Sequence, residues 1–579
     1  MLLLLLAGFV ATTHAFNCPT PCSCATGDEL EYYCRVGPSS VTFKGRNNEY
    51  VIVNCQTTNF TCDALPQINF GNNMPLPSLG MKWCSPSSLP CLNRALTTPS
   101  MGYVTLIDTT KPLEVEDVQG LGDVQNLVII KGADRTVPVN VINSLRTLEN
   151  FRMSGTKLSL SSHEFTNSSH LSFLELSMGG IREIPDDAFN GLTSLKTLNV
   201  WGNNIKEVGV NSFRGLDSLQ ELSLDDNHIS KMAAGSLNHV PQLKAISLIR
   251  NQLEELPPGL FQNLTNLENI TIQMNTGSLK LHNDSFSNLS SLKNLILEDC
   301  SIKVLEQPIR DCHVIQYLSL NTNEIEHIPL SFFKDMASLQ RLDLSYNRIK
   351  RLDAGVFQAL KNLEFLNLDR NHLEVLPDFL FSGLKKLTNI SINNNYLTHI
   401  SDLAFQGAAN LKSISLKSNK LTLKSSTDYD NFETYSPFNT LVHLKDLYLN
   451  DNYINTMFSD WNIVLTKLEN LDLSYNNFTV IYTFDCQFLS NKITVNLQHN
   501  NITSVIPDAG PTTDNKSPPD SKSPTSTILL DNNPLTCDCV QPIHWLDGRR
   551  VAFPNVVDVP TNCPDGKQMG NDGVCREVW

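Results

Sequence analysis

The segment LDLSYNRI at residues 342–349 returns as LDLSYNNF at residues 471–478, and an asparagine keeps recurring at the same place between the two copies. Aligned on that position, the chain carries Asn203, Asn227, Asn251, Asn275, Cys300, Asn323, Asn347, Asn371, Asn395, Asn419, Asn452, Asn476, Asn500 and Asn533. Most steps are 24 residues; the exceptions are 25, 23 and two of 33. A period of this length, held over more than a dozen turns, excludes one compact globule for a chain of 579 residues and calls for stacked, self-similar coils.

Around each anchor the pattern is LxxLxLxxNxL, as in LQELSLDDNHI (219–229), LEFLNLDRNHL (363–373) and LENLDLSYNNF (468–478). Weaker copies precede them: LENFRMSGTKL (148–158) and LSFLELSMGGI (171–181). Period and pattern together identify leucine-rich repeats. The central xLxLx is expected to be a short strand whose leucines point into the stack. The asparagine follows where the chain turns inward, and its amide can both donate to and accept from the backbone of its own and the neighbouring coil. Leaving buried backbone groups unpaired costs ~1–3 kcal/mol each, so the device has to recur in every coil. The asparagines are therefore read as structural. Cys300, in an asparagine slot, is read as a small buried residue donating weakly from its thiol.

The second half of each repeat holds phrases such as IPDDAFNGLTS (184–194), LPPGLFQNLTN (256–266) and LPDFLFSGLKK (376–386), whose Phe is expected to fill the convex side of the core. The expected fold is an α/β solenoid, a curved leucine-rich-repeat horseshoe with disulfide-bonded N- and C-terminal caps, because a repeat stack exposes its core at both ends.

The rest of the composition places the chain. MLLLLLAGFVATTHA is an apolar run ending in small residues, read as a secretory signal over residues 1–15. It is shorter than the ~20 residues of a membrane span. Fifteen cysteines then imply disulfides. Cys18, Cys22, Cys24, Cys34, Cys55, Cys62, Cys84 and Cys91 cluster at the start, and Cys537, Cys539, Cys563 and Cys575 at the end. In an oxidising compartment these read as bridges rather than zinc ligands. Cys312 and Cys486 read as buried free thiols, with an intermolecular bridge as the sharper alternative. Sequons at Asn59, Asn167, Asn263, Asn269, Asn283, Asn288, Asn389, Asn477 and Asn501 mark candidate glycosylation sites. The formal charge of −15 argues against nucleic acid as a partner.

The expected organisation is a signal peptide at 1–15, a Cys-rich N-terminal cap with atypical first repeats at 16–123, repeats at 124–535, and a Cys-rich C-terminal cap at 536–579. Insertions near 423–443 and 504–526 account for the two long steps; the second is rich in Pro and Ser and is expected to be protease-sensitive. No GxSxG, HExxH, P-loop or GxGxxG after a strand is present in the sequence, so neither an enzyme nor a cofactor or metal is expected.

Recognition remains. Side-chain alternation puts the non-leucine strand positions on the concave face. In the early repeats these include Phe173, Glu175, Ser177, Met178, Trp201, Glu221, Asp225, Ile249 and Arg250. Aromatic and large apolar groups beside carboxylates and an arginine are what protein interfaces favour. The candidate ligand-binding set is Phe173, Glu175, Met178, Trp201, Glu221, Asp225, Ile249 and Arg250. Asn269 and Asn389 fall on the strands of later repeats, where glycans would obstruct the inner surface.

The phrases SPFNTLVHLKDLYLNDNYI (436–454), FSDWNIVLTKLENLDLSYNNF (458–478), FLSNKITVNLQHNNI (488–502) and LLDNNPLTCDC (529–539) follow one another in order. Together with the extended Cys-rich start, they resemble the N-terminal repeat module of insect Toll receptor ectodomains, over essentially the whole chain and weakly over residues 35–145. Cys18-x3-Cys22-x-Cys24-x9-Cys34 resembles the family's N-terminal cap, and Cys537-Asp-Cys539 with Cys563 and Cys575 its C-terminal cap. The resemblance implies the pairs Cys537–Cys563 and Cys539–Cys575. It also implies an extracellular, ligand-binding part of a single-pass receptor. The implied partner is a Spätzle-like dimeric cystine-knot cytokine in innate immune or developmental signalling, with a receptor homodimer as a further assembly and a membrane reached only through segments beyond this chain. The alternatives are a free secreted leucine-rich-repeat defence protein and a matrix or adhesion repeat protein.

Overall fold

The computed structural model describes residues 18–26, 29–36, 39–46, 49–56, 65–68, 78–96, 101–423, 436–458, 460–482, 493–506, 527–535, 567–569 and 575–577. The expected signal peptide, Asn59, Cys62, Cys486, both C-terminal pairings, and residues 424–435 and 507–526 of the insertions lie outside them. The chain divides into two compact units, Met1–Leu248 and Ile249–Trp579. Among the described residues no helix is long and apolar enough to cross a membrane.

The first unit opens with an antiparallel meander. Cys22–Thr26 pairs with Leu30–Val36, which pairs with Ser39–Arg46, which pairs with Tyr50–Cys55. Disulfides Cys18–Cys24 and Cys22–Cys34 close its first hairpin. The last strand then changes partner. Tyr50–Cys55 pairs in parallel with Ser78–Lys82, and from there each coil adds one parallel strand: Tyr103–Ile107, Asn126–Ile130, Asn150–Ser154, Phe173–Ser177, Thr197–Asn199, Glu221–Ser223 and Ala245–Ser247. The Cys55–Cys84 bridge ties the meander's last strand to the first coil. A bridge of this kind contributes ~2–4 kcal/mol. Cys91 is also disulfide-bonded.

The parallel ladder thus begins three coils before the leucine pattern becomes legible. In those coils the inward positions are Leu79 and Met81, Val104 and Leu106, and Leu127 and Ile129, each at most 1 % exposed. Burial needs an apolar side chain of suitable volume, and it does not need leucine.

The second unit repeats the arrangement. Parallel pairing runs through Asn269–Gln273, Asn294–Glu298, Tyr317–Ser319, Arg341–Asp343, Phe365–Asn367, Asn389–Ser391 and Ser413–Ser415. It continues through Asp446–Tyr448, Asn470–Asp472, Thr494–Asn496 and Thr527–Leu529. Register is kept across both 33-residue steps: Ile414 pairs with Leu447, and Val495 with Ile528.

The asparagine amides do what the periodicity implied. Asn203 Oδ1 accepts from the N–H groups of Gly179 and Ile181, while its Nδ2 donates to the carbonyls of Leu176 and Val200. Asn347 repeats this with Ile325 N–H, Leu320 O and Leu344 O. Cys300 keeps the donor half, its Sγ lying 3.3 Å from Ile272 O and 3.1 Å from Glu298 O. The residue before each slot is left-handed: φ is +51° at Asp226, +54° at Tyr346 and +53° at Arg370. Such a conformation costs a non-glycine residue ~1–2 kcal/mol. Here it is held by the ladder, since Tyr346 N–H donates to Asp369 O at 2.8 Å and Arg370 N–H to Asn393 O at 2.8 Å.

On the convex side the phenylalanines stack coil on coil. In the first unit Phe165 meets Phe189 at 6.0 Å, and Phe189 meets Phe213 at 6.5 Å. In the second unit Phe333, Phe357, Phe381, Phe405, Phe438 and Trp461 form one continuous run. Cys312 is a buried free thiol, donating to Phe286 O at 3.2 Å.

Candidate functional site: the concave face of the first unit

Parallel register sorts the outward strand positions of the first unit into columns. One runs Tyr103, Asn126, Asn150, Phe173, Thr197, Glu221. Its neighbour runs Ile52, Gly80, Thr105, Val128, Arg152, Glu175, Asn199, Ser223. Five of the sequence-assigned residues, Phe173, Glu175, Trp201, Glu221 and Asp225, share this surface with Met178 at its margin.

Their contacts fix them in place. The Arg152 guanidinium lies 4.6 Å above the Phe173 ring, a cation–π arrangement that holds both side chains across adjacent strands. Glu175 Oε1 accepts from Ser177 Oγ at 2.9 Å and from Trp201 Nε1 at 3.3 Å. Thr197 Oγ1 donates to Glu221 Oε2 at 3.4 Å, and Asp225 accepts from Ser223 Oγ at 3.1 Å and Ser247 Oγ at 2.6 Å. Phe173, Glu175, Trp201 and Asp225 are half-buried, Glu221 is exposed, and Met178 is 52 % exposed. Ser177 keeps the alternation, its hydroxyl donating to Glu175 two residues away on the same face, yet it is fully buried. Ile249 and Arg250 open the second unit and are described only within it: Ile249 is half-buried, and Arg250 is exposed with φ +53°.

The coils nearest the cap supply a part of this face that the leucine pattern does not reveal. Ile52 is 39 % exposed and Trp83 48 %, while Tyr103, Ile107 and Ile130 are half-buried. Gly80 leaves the second column open, since the nearest atom to a Cβ placed there would be Ile52 Cγ1 at 3.5 Å. The result is a shallow apolar floor that gives way, coil by coil, to Arg152, Phe173, Glu175 and Trp201. An apolar centre beside charged, hydrogen-bonded groups is the anatomy of a protein-binding surface. The signal was present in the apolar strands YVTLI (103–107) and NLVII (126–130), two periods and one period before the first weak repeat.

Below the floor the ladder is improvised. Thr109 and Thr156 fill asparagine slots, accepting from Ala133 N–H at 3.1 Å and Gly132 N–H at 2.8 Å. Asp134 is 6 % exposed, and its Oδ1 accepts from Leu113 N–H at 2.9 Å. Burial pushes the Asp134 carboxyl above the usual carboxylate range. Among the described residues no group of three or more His, Cys, Asp or Glu side chains converges as metal ligands would.

Comparison with known proteins agrees with this architecture. The leucine rich repeat family matches residues 169–229, 218–276, 241–302, 313–373 and 366–421. Protein toll of Drosophila melanogaster is 35% identical over 115 residues, which span 19% of this chain and 10% of that relative. A solved Toll–Spätzle complex from Drosophila, in glycosylated form, superposes with a TM-score of 0.77 at 23% identity, covering 94% of this chain and 77% of that one. A second structure of the complex gives 0.76 at 23% identity, covering 90% and 70%. A leucine-rich-repeat protein of Leptospira interrogans gives 0.55 at 22% identity, covering 75% and 97%. The chain carries leucine-rich repeats and shares the fold of the Toll ectodomain in those complexes.

Proposed function

We propose that this chain is the ligand-binding part of a Toll-type receptor ectodomain and that its partner is a Spätzle-like dimeric cystine-knot cytokine. The observation that carries the reading is the concave surface of the first unit, where Arg152–Phe173 and Glu175–Trp201 hold two aromatic rings in fixed orientations. Rings already fixed lose little conformational freedom when a ligand closes over them, which is how preorganised anchors come to dominate affinity. The apolar floor around Gly80 would receive the ligand's hydrophobic contacts, and Glu221 and Asp225 its basic groups. Phe173, Glu175, Met178, Trp201, Glu221 and Asp225 are the proposed contacts of this unit; Ile249 and Arg250 are proposed separately, as contacts of the second unit by itself. The fold shared with a receptor solved in a Toll–Spätzle complex supports the choice of ligand class.

The same reading makes the protein extracellular, consistent with its N-terminal disulfides, carried by a membrane-anchored parent and acting in innate immunity or development. A receptor homodimer is part of the proposal. So is glycosylation. Asn389 is exposed on a concave strand of the second unit, whereas Asn269 is half-buried and accepts from Asn294 Nδ2 at 2.6 Å. A glycan on Asn389 would close the inner surface of that coil.

The test is a titration of processed cystine-knot dimers against the wild-type chain and the Phe173→Ala/Trp201→Ala variant. Binding by the wild type and a loss of about 100-fold in the variant is the expected outcome. Unchanged affinity in a folded double variant would remove this site.

A further inference from the structure

In the second unit, the positions flanking the ladder asparagine form two rows along one edge of the strand face. Over the five coils anchored at Asn347, Asn371, Asn395, Asn419 and Asn452, these rows bring together Tyr346, Arg370, His372, Tyr396, Lys420 and Tyr453. Tyr346 is 50 % exposed, Tyr396 45 % and Tyr453 52 %. The Arg370 guanidinium lies 5.0 Å from the Tyr346 ring, Lys420 Nζ lies 4.8 Å from the Tyr396 ring, and His372 packs 5.5 Å from Tyr396 on its other side.

Several other exposed cations of the unit meet a carboxylate of a neighbouring coil: Lys293 with Glu268 at 2.7 Å, Arg310 with Asp284 at 2.9 Å, and Arg348 with Glu324 at 2.9 Å. Among the described residues, Arg370 and Lys420 make no ion pair. The carboxylate next to Arg370 in sequence is already committed. Asp369 Oδ1 accepts from Ser391 Oγ at 2.8 Å and Asn393 N–H at 2.6 Å, and its Oδ2 accepts from Asn393 Nδ2 at 3.3 Å. In a chain of net charge −15, two cations oriented by aromatic rings and left without carboxylates mark a surface shaped for an anionic group. Asp451 and the sequon Asn477 mark the far end of these rows.

We propose that this strip is a docking surface for an acidic polypeptide segment of a partner protein, sharing no residue with the concave-face site of the first unit. Arg370 and Lys420 are two coils apart, ~10 Å at a strand spacing of ~4.8 Å, within the span of carboxylates on a short extended peptide. Tyr396 between them and Tyr346 on the coil before Arg370 present ring surface that a polypeptide can cover with apolar or aromatic side chains. A nucleic acid or sulfated polysaccharide draws its affinity from many cations at once, and two do not supply that. Tyr and Arg together are the residues most enriched where protein partners bind tightly.

The experiment uses the full chain and a fluorescein-labelled peptide of alternating Glu and Tyr, with a Lys-Tyr peptide and a heparin oligosaccharide as competitors. The variant is Arg370→Glu/Lys420→Glu. Both side chains are exposed, so circular dichroism should show an unchanged fold. The expected result is salt-sensitive binding of the Glu-Tyr peptide that weakens at least about tenfold in the variant, partial retention in Arg370→Lys, and no competition by the Lys-Tyr peptide. Absent binding, or equal binding by wild type and variant, would overturn the proposal. Stronger variant-sensitive binding of heparin would reassign the strip to a polyanionic glycan. Self-association of the chain that disappears in the variant would reassign it to a second copy.

Discussion

The indole N–H of Trp201 donates to the carboxylate of Glu175 on the preceding coil at 3.3 Å. The bond holds a large aromatic side chain against the concave face and leaves the rest of the indole as contact surface. Glu175→Ala removes the acceptor and releases the ring, so ligand affinity should fall about tenfold while the denaturation midpoint hardly moves, since such half-exposed polar pairs contribute ~1 kcal/mol or less. Glu175→Gln keeps an acceptor oxygen and should retain most of the affinity. A paired binding titration and urea melt separate the two effects.

The asparagine ladder predicts the opposite pattern. Asn347 donates to Leu320 O, Leu344 O and Ser345 O at 2.9, 3.1 and 3.2 Å and accepts from Ile325 N–H at 3.0 Å. Asn347→Ala leaves these buried backbone groups without partners and should destabilise the second unit by about 2–4 kcal/mol. Ligand binding by the surviving folded fraction should be unaffected. A loss below about 1 kcal/mol in equilibrium unfolding would mean that water replaces the amide easily.

The sequence disclosed the coils wherever leucine and asparagine coincide and fell silent where chemistry substituted for spelling. Met81, Val104 and Ile129 bury as completely as leucine does, yet they break the pattern. Thr156 accepts the preceding coil's N–H as an asparagine would, Thr109 accepts from the following coil instead, and Cys84 trades the hydrogen-bonding role for a covalent bond to Cys55. The candidate site was half legible for the same reason. Phe173, Glu175 and Trp201 follow from alternation along recognised strands, whereas Ile52, Trp83 and Tyr103 sit on coils the spacing did not announce. Ser177 shows that an outward strand position need not be exposed, since its short side chain is fully buried while it bonds to Glu175. The cation-bearing rings Tyr346 and Tyr396 were invisible because they flank the turn, outside the strand pattern.

Burial raises the Cys300 thiol to about 12 and the Cys312 thiol to about 11, from an ordinary value of 9.0. Both should resist alkylation in the native protein at mildly alkaline pH and react fully once it unfolds. The linkage has a definite sign. A raised folded-state pKa gives stability that is complete below the unfolded value and lost as pH climbs toward the folded one. Unfolding free energy should therefore decline between pH 9 and about 12, and Cys300→Ser, whose hydroxyl does not titrate there, should flatten that decline. Rapid labelling of the native protein would contradict the burial.

Asp134 offers a second titration with the same sign. Its carboxyl is raised by burial, with the neighbouring Asp117 adding repulsion, and its Oδ2 has no hydrogen-bond partner. Asp134 therefore favours the folded state while protonated, and that contribution disappears as pH rises through its folded-state value. Asp134→Asn keeps the acceptor for Leu113 N–H without the charge. It should raise the melting temperature at neutral pH and reduce the difference between neutral and acidic melts. An unchanged or lowered neutral melt would show that the charge is satisfied in solution.

The measurement that bears most directly on the whole account is a cryo-electron-microscopy structure of this chain with a processed cystine-knot dimer. The account predicts ligand density against the concave strands of the first unit, over Gly80, Tyr103, Phe173 and Trp201. Density confined to the phenylalanine-packed convex side, or a ligand that leaves all four of those residues open to solvent, would contradict it.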